Sequence, residues 1–441
     1  MFVPLRLHSV YSRGKGSVTL EEAAGWAAGR RLPAAALADV GNIYGWGKWK
    51  RIASAGGFKP IFGCELECGG RRFVFLVKTR EGYSNLMEIF NRREVRDASG
   101  LVMIYIPGRE EGRGTSEARN GDLSLGLVSP PESEGGSWAS EAAMLAELRD
   151  NVAPGDLYLG ADLGNFRRIF EDGDTYRRYM SPNSVVWANP IKYLRSPERL
   201  ILLHAIEQKI PYPPERDRLL GRVRLFGPDQ EALALRRFGD AVKDALARTA
   251  EVAEKCEFVF ENVIPNLPAD LFPRTLREVV TERLTAAANL TWKERQRARR
   301  ELTVVEQSGF GPYFLAVHDI VEFARRRGIL HNLRGSGASC FLGWLLGISH
   351  VSPMEFDLYF ERFLNRGRPD PPDIDIDFDS RRRDEVLKYV LERYGAGRTG
   401  AAYVCSLKSF GGRSALYETL RAFGAPPEEA RSLAKRVPYF A

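Results

Sequence analysis

Residues 371–379 read PPDIDIDFD and place a carboxylate at every second position. In a β-strand, whose side chains alternate between two faces, the aspartates lie on one face and Ile374, Ile376 and Phe378 on the other. Aspartate is depleted in strands, and like charges along one face repel unless something neutralises them. The stretch is therefore either a half-exposed acidic strand or turn, or a platform for divalent cations, which prefer oxygen ligands. The β-branched and aromatic residues between the acids favour the platform, which is typical of phosphoryl and nucleotidyl transfer.

A segment of small residues lies upstream of these acids. Residues 334–339 read RGSGAS and precede the apolar run CFLGWLLG at 340–347. Small residues that open a helix leave backbone N–H groups free to meet a phosphate, and the helix dipole favours the anion. Alone, such a segment is usually no more than a helix entry. Together with the acidic stretch, it indicates a nucleotide site.

The residues after the acids have helical apolar spacing. They predict a helix over 380–395, with Ser380 as N-cap and Gly395 as C-cap. The arginines at 381–383 either solvate one face of this helix or bind phosphates.

These motifs carry a resemblance to a known family. The segment from Gly311 to about Gly424 resembles the palm of bacterial C-family DNA polymerases, the alpha subunit of DNA polymerase III, and is closer to the error-prone branch than to the main replicase. The matching motifs agree in order and spacing: YFLAVHDIV at 313–321, RGS at 334–336, LGI at 346–348, FERF at 360–363, PDIDIDF at 372–378 and RRDEV at 382–386. Leu333 is a departure, because the family usually has glycine there.

The resemblance implies a site and an activity. Asp375 and Asp377 correspond to two catalytic, metal-binding aspartates, and Arg334, Gly335 and Ser336 to the motif that binds the triphosphate of the incoming nucleotide. The implied reaction is template-directed DNA synthesis from dNTPs by two Mg²⁺ ions, in replication, repair and error-prone translesion synthesis. The implied partners are primer–template DNA and, by family resemblance, a sliding clamp or mutagenesis accessory proteins.

The amino-terminal part predicts alternating strands and helices. Strands are expected at 5–9, 34–39 and 60–65, and helices at 20–28 and 46–55, the first of which begins with a capping box at Thr19 and Glu22. This alternation favours parallel α/β layers. The segment resembles the PHP domain of the same polymerases, which implies a distorted (β/α) barrel.

The PHP metal motifs are degenerate in this chain. Arg6 replaces the first histidine of the family's His-x-His, and Val40 replaces the histidine that follows Asp39. Pro190 and Lys192 replace an aspartate and a histidine of a later motif. The residues that remain of the ligand set are His8, Asp39 and Glu65. We therefore expect no metal in this domain and no metal-dependent nuclease or phosphoesterase activity.

Composition is consistent with this interpretation without requiring it. The chain has 441 residues, ample for two or three domains, and a formal net charge of +7, which suits a polyanionic partner. No stretch is long enough to span a membrane, and the start lacks a signal-peptide pattern, so we expect a cytoplasmic protein. The five scattered cysteines indicate neither a zinc site nor a disulfide framework.

The sequence predicts four regions. They are a PHP-like domain at 1–195 with a flexible insertion at about 107–140, a helical connector at 196–308, a partial nucleotidyltransferase-like α+β palm at 309–400, and the start of a thumb at 401–441. In the family, a third catalytic aspartate and the fingers lie further downstream. We therefore expect this chain to be inactive alone, and to need a second chain that carries the rest of the palm and the fingers.

Three functions compete at this point. The first is a truncated or split error-prone DNA polymerase. The second is a catalytically dead DNA-binding or scaffold remnant of such an enzyme. The third is a PHP-type phosphoesterase, which the substitutions at Arg6, Val40, Pro190 and Lys192 disfavour.

Overall fold

The computed structural model of the chain describes residues 2–107, 151–163, 184–212, 223–261, 271–365, 372–394 and 409–438, with isolated positions between them. The chain forms two compact units. The first comprises Met1–Glu261 with Ser409–Ala441, and the second comprises Asn262–Lys408. The four regions drawn from the sequence stay a prediction, and the expected insertion at 107–140 lies almost wholly outside the described residues.

The first unit is built on one curled sheet. Within the described residues, its six strands follow one another in chain order: β1 Ala34–Val40, β2 Lys59–Cys68, β3 Arg71–Val77, β4 Leu101–Ile106, β5 Leu157–Ala161 and β6 Val185–Trp187. Strand β1 pairs parallel with β2, and β4, β5 and β6 pair parallel with one another. The strands expected at 34–39 and 60–65 pair parallel, as predicted, whereas strand β3, which was not predicted, is antiparallel to both of its neighbours. The cause is a tight turn at Gly69 and Gly70, whose φ angles of 56° and 73° suit a two-residue hairpin.

The amino-terminal segment connects the two ends of this sheet. Leu7 forms parallel bridges both with Leu37 in β1 and with Ile191 after β6. The His8 amide donates to the Ile191 carbonyl at 2.9 Å, and the Leu7 amide donates to the Ala36 carbonyl at 3.2 Å. The predicted first strand is present only as isolated bridges, but it closes the sheet as a PHP-type barrel requires.

Helices cover this sheet. They are α1 Leu20–Gly29, α2 Trp46–Gly56, α3 Arg80–Arg92, α4 Pro197–Gln208, α5 Gln230–Phe238 and α6 Lys243–Lys255. The capping box at the start of α1 is confirmed, since Thr19 Oγ1 accepts from the Glu22 amide while the Glu22 carboxylate accepts from the Thr19 amide. Within the helical connector predicted from the sequence, α5 and α6 are separate helices, because Gly239 takes a φ of +60°.

The second unit is mainly helical with one pair of strands. Its elements among the described residues are α7 Leu276–Ala286, α8 Trp292–Gln307, α9 Gly311–Arg326, β7 His331–Arg334, α10 Phe341–Leu345, β8 Asp375–Phe378 and α11 Arg383–Tyr394. Buried Phe314, Phe341 and Phe360 lie in its main hydrophobic core. Helices α7 and α8 are separate, because a capping box at Thr291 and Glu294 starts a new helix.

Helix α11 packs against α9 and forms hydrogen bonds with it. The Tyr389 ring stacks on Phe323 at 4.0 Å, and the hydroxyls of Tyr389 and Tyr394 both donate to Asp319 Oδ2 at 2.6 Å. The expected N-cap at Ser380 is wrong, because α11 begins only at Arg383. A turn precedes the helix, in which Asp379 Oδ1 accepts from the Arg381 amide at 3.0 Å. The proposed C-cap at Gly395 lies outside the described residues.

Two helices near the carboxyl end, α12 Gly412–Ala422 and α13 Pro427–Ala434, belong to the first unit. The Tyr212 amide donates to the Ala422 carbonyl at 2.6 Å, and the Tyr212 ring lies 4.8 Å from that of Phe423. Among the described helices, none has the length and apolar character needed to cross a membrane.

Candidate metal and nucleotide site

The acidic strand presents two carboxylates side by side. Strand β8 pairs antiparallel with β7, so that Arg334 lies opposite Asp375 and Asn332 opposite Asp377. Both aspartates are exposed, whereas Ile376 between them packs against the hydrophobic core of the second unit. The alternation expected from the sequence is confirmed over Asp375–Phe378. Carboxylates two residues apart on one strand face point the same way, as a shared cation would require.

An arginine lies on this acidic face. Arg334 Nε contacts Asp377 Oδ2 at 2.6 Å, with the two side chains 62% and 54% exposed. An ion pair this exposed is worth at most about 1 kcal/mol. Arg334 therefore neutralises part of the negative charge on the acidic strand, but the ion pair is too weak to hold either side chain in place.

Gly335 follows Arg334 in a backbone conformation that favours glycine. Its φ is +71°, and a Cβ built there would lie 3.4 Å from Asp375 Oδ2. The backbone therefore passes directly beside the platform. Residues Gly335–Ser339 form a 3₁₀ helix, and α10 begins only at Phe341, so the expected helix entry is a separate short turn.

Leu333, the departure from the family pattern, faces the other way. It is buried and joins the hydrophobic core, where a Cβ on Gly337 would lie 3.2 Å from it. Its neighbour Arg334 points to the acidic face, as alternation along a strand demands. Leucine at this position therefore packs behind the site and leaves the face with the carboxylates open.

Tyr313 of α9 is a neighbour of the platform to which the sequence reasoning gave no role. Burial raises the pKa of its phenol, and the charges of Asp373 and Asp375 raise it further, while a hydrogen bond with the backbone of Ile374 opposes the shift. A phenol with a raised pKa stays protonated at neutral pH. It therefore remains a neutral hydroxyl beside the acidic strand.

The two carboxylates of Asp375 and Asp377 suit a hard cation whose remaining ligands are water molecules and phosphate oxygens. Within the described part of the chain, no group of three or more His, Cys, Asp and Glu side chains is placed to hold a metal. Mg²⁺ typically takes one or two protein carboxylates and completes its octahedron with water and substrate phosphates. Asp375 and Asp377 are two carboxylates that could hold such an ion, and the backbone at Gly335 lies next to Asp375.

Helix α8 supports the other end of the Gly335–Ser339 turn. This helix is rich in basic residues, of which Arg295 and Arg297 are only partly exposed and donate to backbone carbonyls. Arg297 also pairs with Glu301, which is completely buried. A carboxylate four residues after an arginine was the available sequence signal, but its burial was not evident from the sequence.

In the first unit, an arginine occupies the degenerate PHP pocket. Arg6 donates to Glu65 from Nε at 2.7 Å and from Nη2 at 2.9 Å, and His8 Nε2 lies 2.8 Å from the same carboxylate. Burial disfavours the charge on Glu65, but Arg6 and His8 outweigh it and hold its pKa well below the usual range. Burial lowers the pKa of His8 to about 4. His8 and Glu65 thus come together around a guanidinium.

Asp39, the third expected PHP residue, has its own partners. Its carboxylate accepts from the Ser9 amide at 2.7 Å and from the Ser12 hydroxyl at 2.6 Å. Burial raises the pKa of Asp39 to about 6 against these hydrogen bonds. Lys192, which replaces a histidine of the later PHP motif, is also buried. Its Nζ lies 4.4 Å from the centre of the Phe226 ring. Burial, together with the cation of Arg6, lowers the pKa of Lys192 to about 7.

Comparison with known proteins agrees with this architecture. Residues 4–110 match the PHP domain, and residues 272–440 match the bacterial DNA polymerase III alpha NTPase domain. The first match covers strands β1 to β4 of the curled sheet, and the second covers the acidic strand.

Named relatives match along almost the whole chain. It is 30% identical to the error-prone DNA polymerase of Symbiobacterium thermophilum over 100% of this chain and 42% of that protein. It is 29% identical to the error-prone DNA polymerase of Corynebacterium diphtheriae, over 97% and 40%, and 28% identical to a DNA polymerase III subunit alpha of Pseudomonas fluorescens, over 99% and 40%. The chain belongs to the bacterial C-family DNA polymerases and spans about two fifths of the length of these relatives.

Proposed function

We propose that the chain contributes the nucleotide and metal site of an error-prone-type, DNA-directed DNA polymerase. The observation that carries this proposal is the pair of exposed carboxylates, Asp375 and Asp377, on one face of a strand whose partner leads into the turn at Gly335. The names of the relatives support the same activity. We also propose that residues 309–400 form part of a nucleotidyltransferase-like palm.

The residues of this proposed site have different roles. Asp375 and Asp377 bind divalent cations, for which we propose Mg²⁺, and Tyr313 stays protonated beside them. Arg334 leaves Asp377 and pairs with a phosphate of the dNTP, while the backbone at Gly335 and Ser336 accommodates the triphosphate. The chemistry that two bound Mg²⁺ ions supply in such sites is stabilisation of the attacking and leaving oxygens.

The substrates follow from the same assignment. We propose that primer–template DNA and dNTPs bind, and that the net charge of +7 contributes a salt-sensitive attraction to the DNA backbone. A sliding clamp or mutagenesis accessory proteins are further proposed partners.

We propose no hydrolytic chemistry for the PHP pocket. Arg6 already satisfies Glu65 with two hydrogen bonds, and a buried lysine, Lys192, stands where the family motif has a histidine. A positively charged side chain next to the carboxylate opposes a metal cation there. The pocket is proposed to stabilise the barrel, with no resident zinc or manganese.

Nucleotide binding tests the proposed function. Calorimetric titration of the chain with dATP should show binding only when Mn²⁺ or Mg²⁺ is present, and Asp375→Asn should weaken it about ten-fold or more. Primer–template DNA should still bind this variant, with an affinity that falls steeply as salt rises. Binding of dATP that needs no divalent cation and ignores Asp375→Asn would contradict the proposal.

A further inference from the structure

A buried ion pair lies behind the turn proposed to receive the triphosphate. Glu301 of α8 has no exposed surface, and its carboxylate pairs with Arg297 one helical turn earlier. The same carboxylate accepts from the Leu342 amide at 3.0 Å and from the Cys340 thiol at 3.4 Å. One acidic side chain thus connects α8 to the segment that immediately follows Gly335–Ser339.

Arg297 extends this connection into the turn itself. Its Nη2 donates to the Ser339 carbonyl at 3.3 Å and to the Leu358 carbonyl at 3.0 Å. The Ser339 hydroxyl in turn donates to the Ser336 carbonyl at 2.7 Å. A continuous set of hydrogen bonds therefore runs from Glu301 through Arg297 and Ser339 to Ser336.

An ion pair of this kind stabilises a contact between helices poorly, because burying a charge has a large desolvation free energy. Removing the Glu301 carboxylate from water costs several kcal/mol, while Arg297 stays 17% exposed, and a well-packed apolar pair of similar volume is often as stable. Burial also raises the pKa of Glu301 above its ordinary value, although hydrogen bonds from Arg297 and from the Leu342 amide oppose the shift. A requirement for directed hydrogen bonds to the backbone accounts for the charged pair, because apolar side chains cannot orient a carbonyl.

We infer that Glu301 and Arg297 are positioning residues, which set the shape of the Gly335–Ser339 turn so that it accepts the triphosphate of a nucleotide. This inference rests on the proposed function of the turn. Neither residue touches the carboxylates of β8 in the contacts described above. The pair therefore acts on nucleotide affinity and leaves metal binding at Asp375 and Asp377 unaffected.

Three variants of the full chain separate positioning from ordinary stabilisation. Glu301→Gln keeps the size of the side chain and removes its charge. The double variant Arg297→Met with Glu301→Met replaces the ion pair by apolar side chains. Glu282→Gln is the control, because Glu282 forms an exposed ion pair with Arg274 in the same unit.

Four quantities are measured on each variant: the melting temperature, hydrogen exchange of the amides at 335–342, and the affinities for Mn²⁺ alone and for dATP with Mn²⁺. Glu301→Gln should accelerate exchange at 335–342 and weaken dATP binding about ten-fold, with Mn²⁺ affinity unchanged. The double methionine variant should regain the melting temperature but not the dATP affinity. The control should match the wild type.

The outcomes keep the inference apart from the proposed function. Recovery of dATP affinity in the double methionine variant, or unchanged exchange at 335–342 in Glu301→Gln, would overturn the positioning role. A wild-type chain that binds no dATP would instead refute the proposed function of the turn. In that case, the exchange measurement still decides whether the ion pair sets the shape of the turn.

Discussion

At the scale of single residues, Arg334 is the internal counter-ion of the acidic strand. It contacts Asp377 at 2.6 Å, where a divalent cation would also have to bind. Arginine and metal compete for the same carboxylate, since each needs its negative charge. Nucleotide phosphates offer the arginine an alternative partner, so arrival of the nucleotide should favour metal entry.

The substitution Arg334→Gln tests this competition. It should tighten Mn²⁺ binding in the absence of nucleotide by up to about five-fold, the equivalent of an exposed ion pair. It should weaken the binding of dATP with Mn²⁺, because the arginine no longer meets a phosphate. The control Arg300→Gln removes another exposed ion pair of the same unit, with Glu361, and should change neither affinity. Weaker Mn²⁺ binding by Arg334→Gln would contradict the competition.

Lys192 makes the stability of the first unit depend on pH. Its pKa is lowered to about 7 in the folded chain, against an ordinary value of 10.5. Between these values the unfolded chain binds more protons than the folded chain, so the free energy of unfolding rises with pH. The increase should be at most about 1.4 kcal/mol per pH unit, and Lys192→Met should remove it. Urea unfolding between pH 7 and 9 measures both slopes, and equal slopes in the two proteins would count against this account.

At the scale of elements, the turn at Gly335 connects the two halves of the proposed site. Gly335→Ala should weaken binding of dATP with Mn²⁺, because alanine is strained at a φ of +71° and its methyl group would lie in van der Waals contact with Asp375 Oδ2, in space proposed for the cation and nucleotide. Gly328→Ala is a matched control, because Gly328 also has a positive φ, +65°, but open space around it. Both variants should lose about 1 kcal/mol of stability, and only Gly335→Ala should lose nucleotide affinity. Equal effects on dATP binding would contradict the close approach of the turn to Asp375.

The elements also show how far the sequence could predict the structure. Alternation along 373–379 predicted both faces of β8, since burial of Ile376 needs nothing beyond a strand with one apolar side. The buried pair of Arg297 and Glu301 was not predictable in the same way. A basic helix looks solvated in sequence, and only the fold shows which of its residues face inward. The antiparallel β3 escaped prediction as well, although Gly69 and Gly70 were the signal for a hairpin.

At the scale of the whole molecule, each of the two compact units contains one of the two sites. The first closes a curled sheet around Arg6, Glu65 and His8, where an arginine takes the place that ligands have in metal-binding PHP domains. The second contains the acidic strand and the turn proposed to bind a nucleotide. The acidic strand was expected from a local motif, whereas the barrel was expected only from the resemblance to the PHP domain. The ion pairs in both sites depend on contacts between residues far apart in the chain.

The most direct test of the account is a titration of the chain with Mn²⁺, followed by electron paramagnetic resonance of the free ion. The wild type should bind Mn²⁺ weakly, and the double variant Asp375→Asn with Asp377→Asn should lose this binding. Asp384→Asn, which removes an exposed carboxylate of α11 paired with Arg383, should bind as the wild type does. If the double variant binds Mn²⁺ as well as the wild type, the acidic strand is not a metal platform, and the proposed polymerase site is wrong.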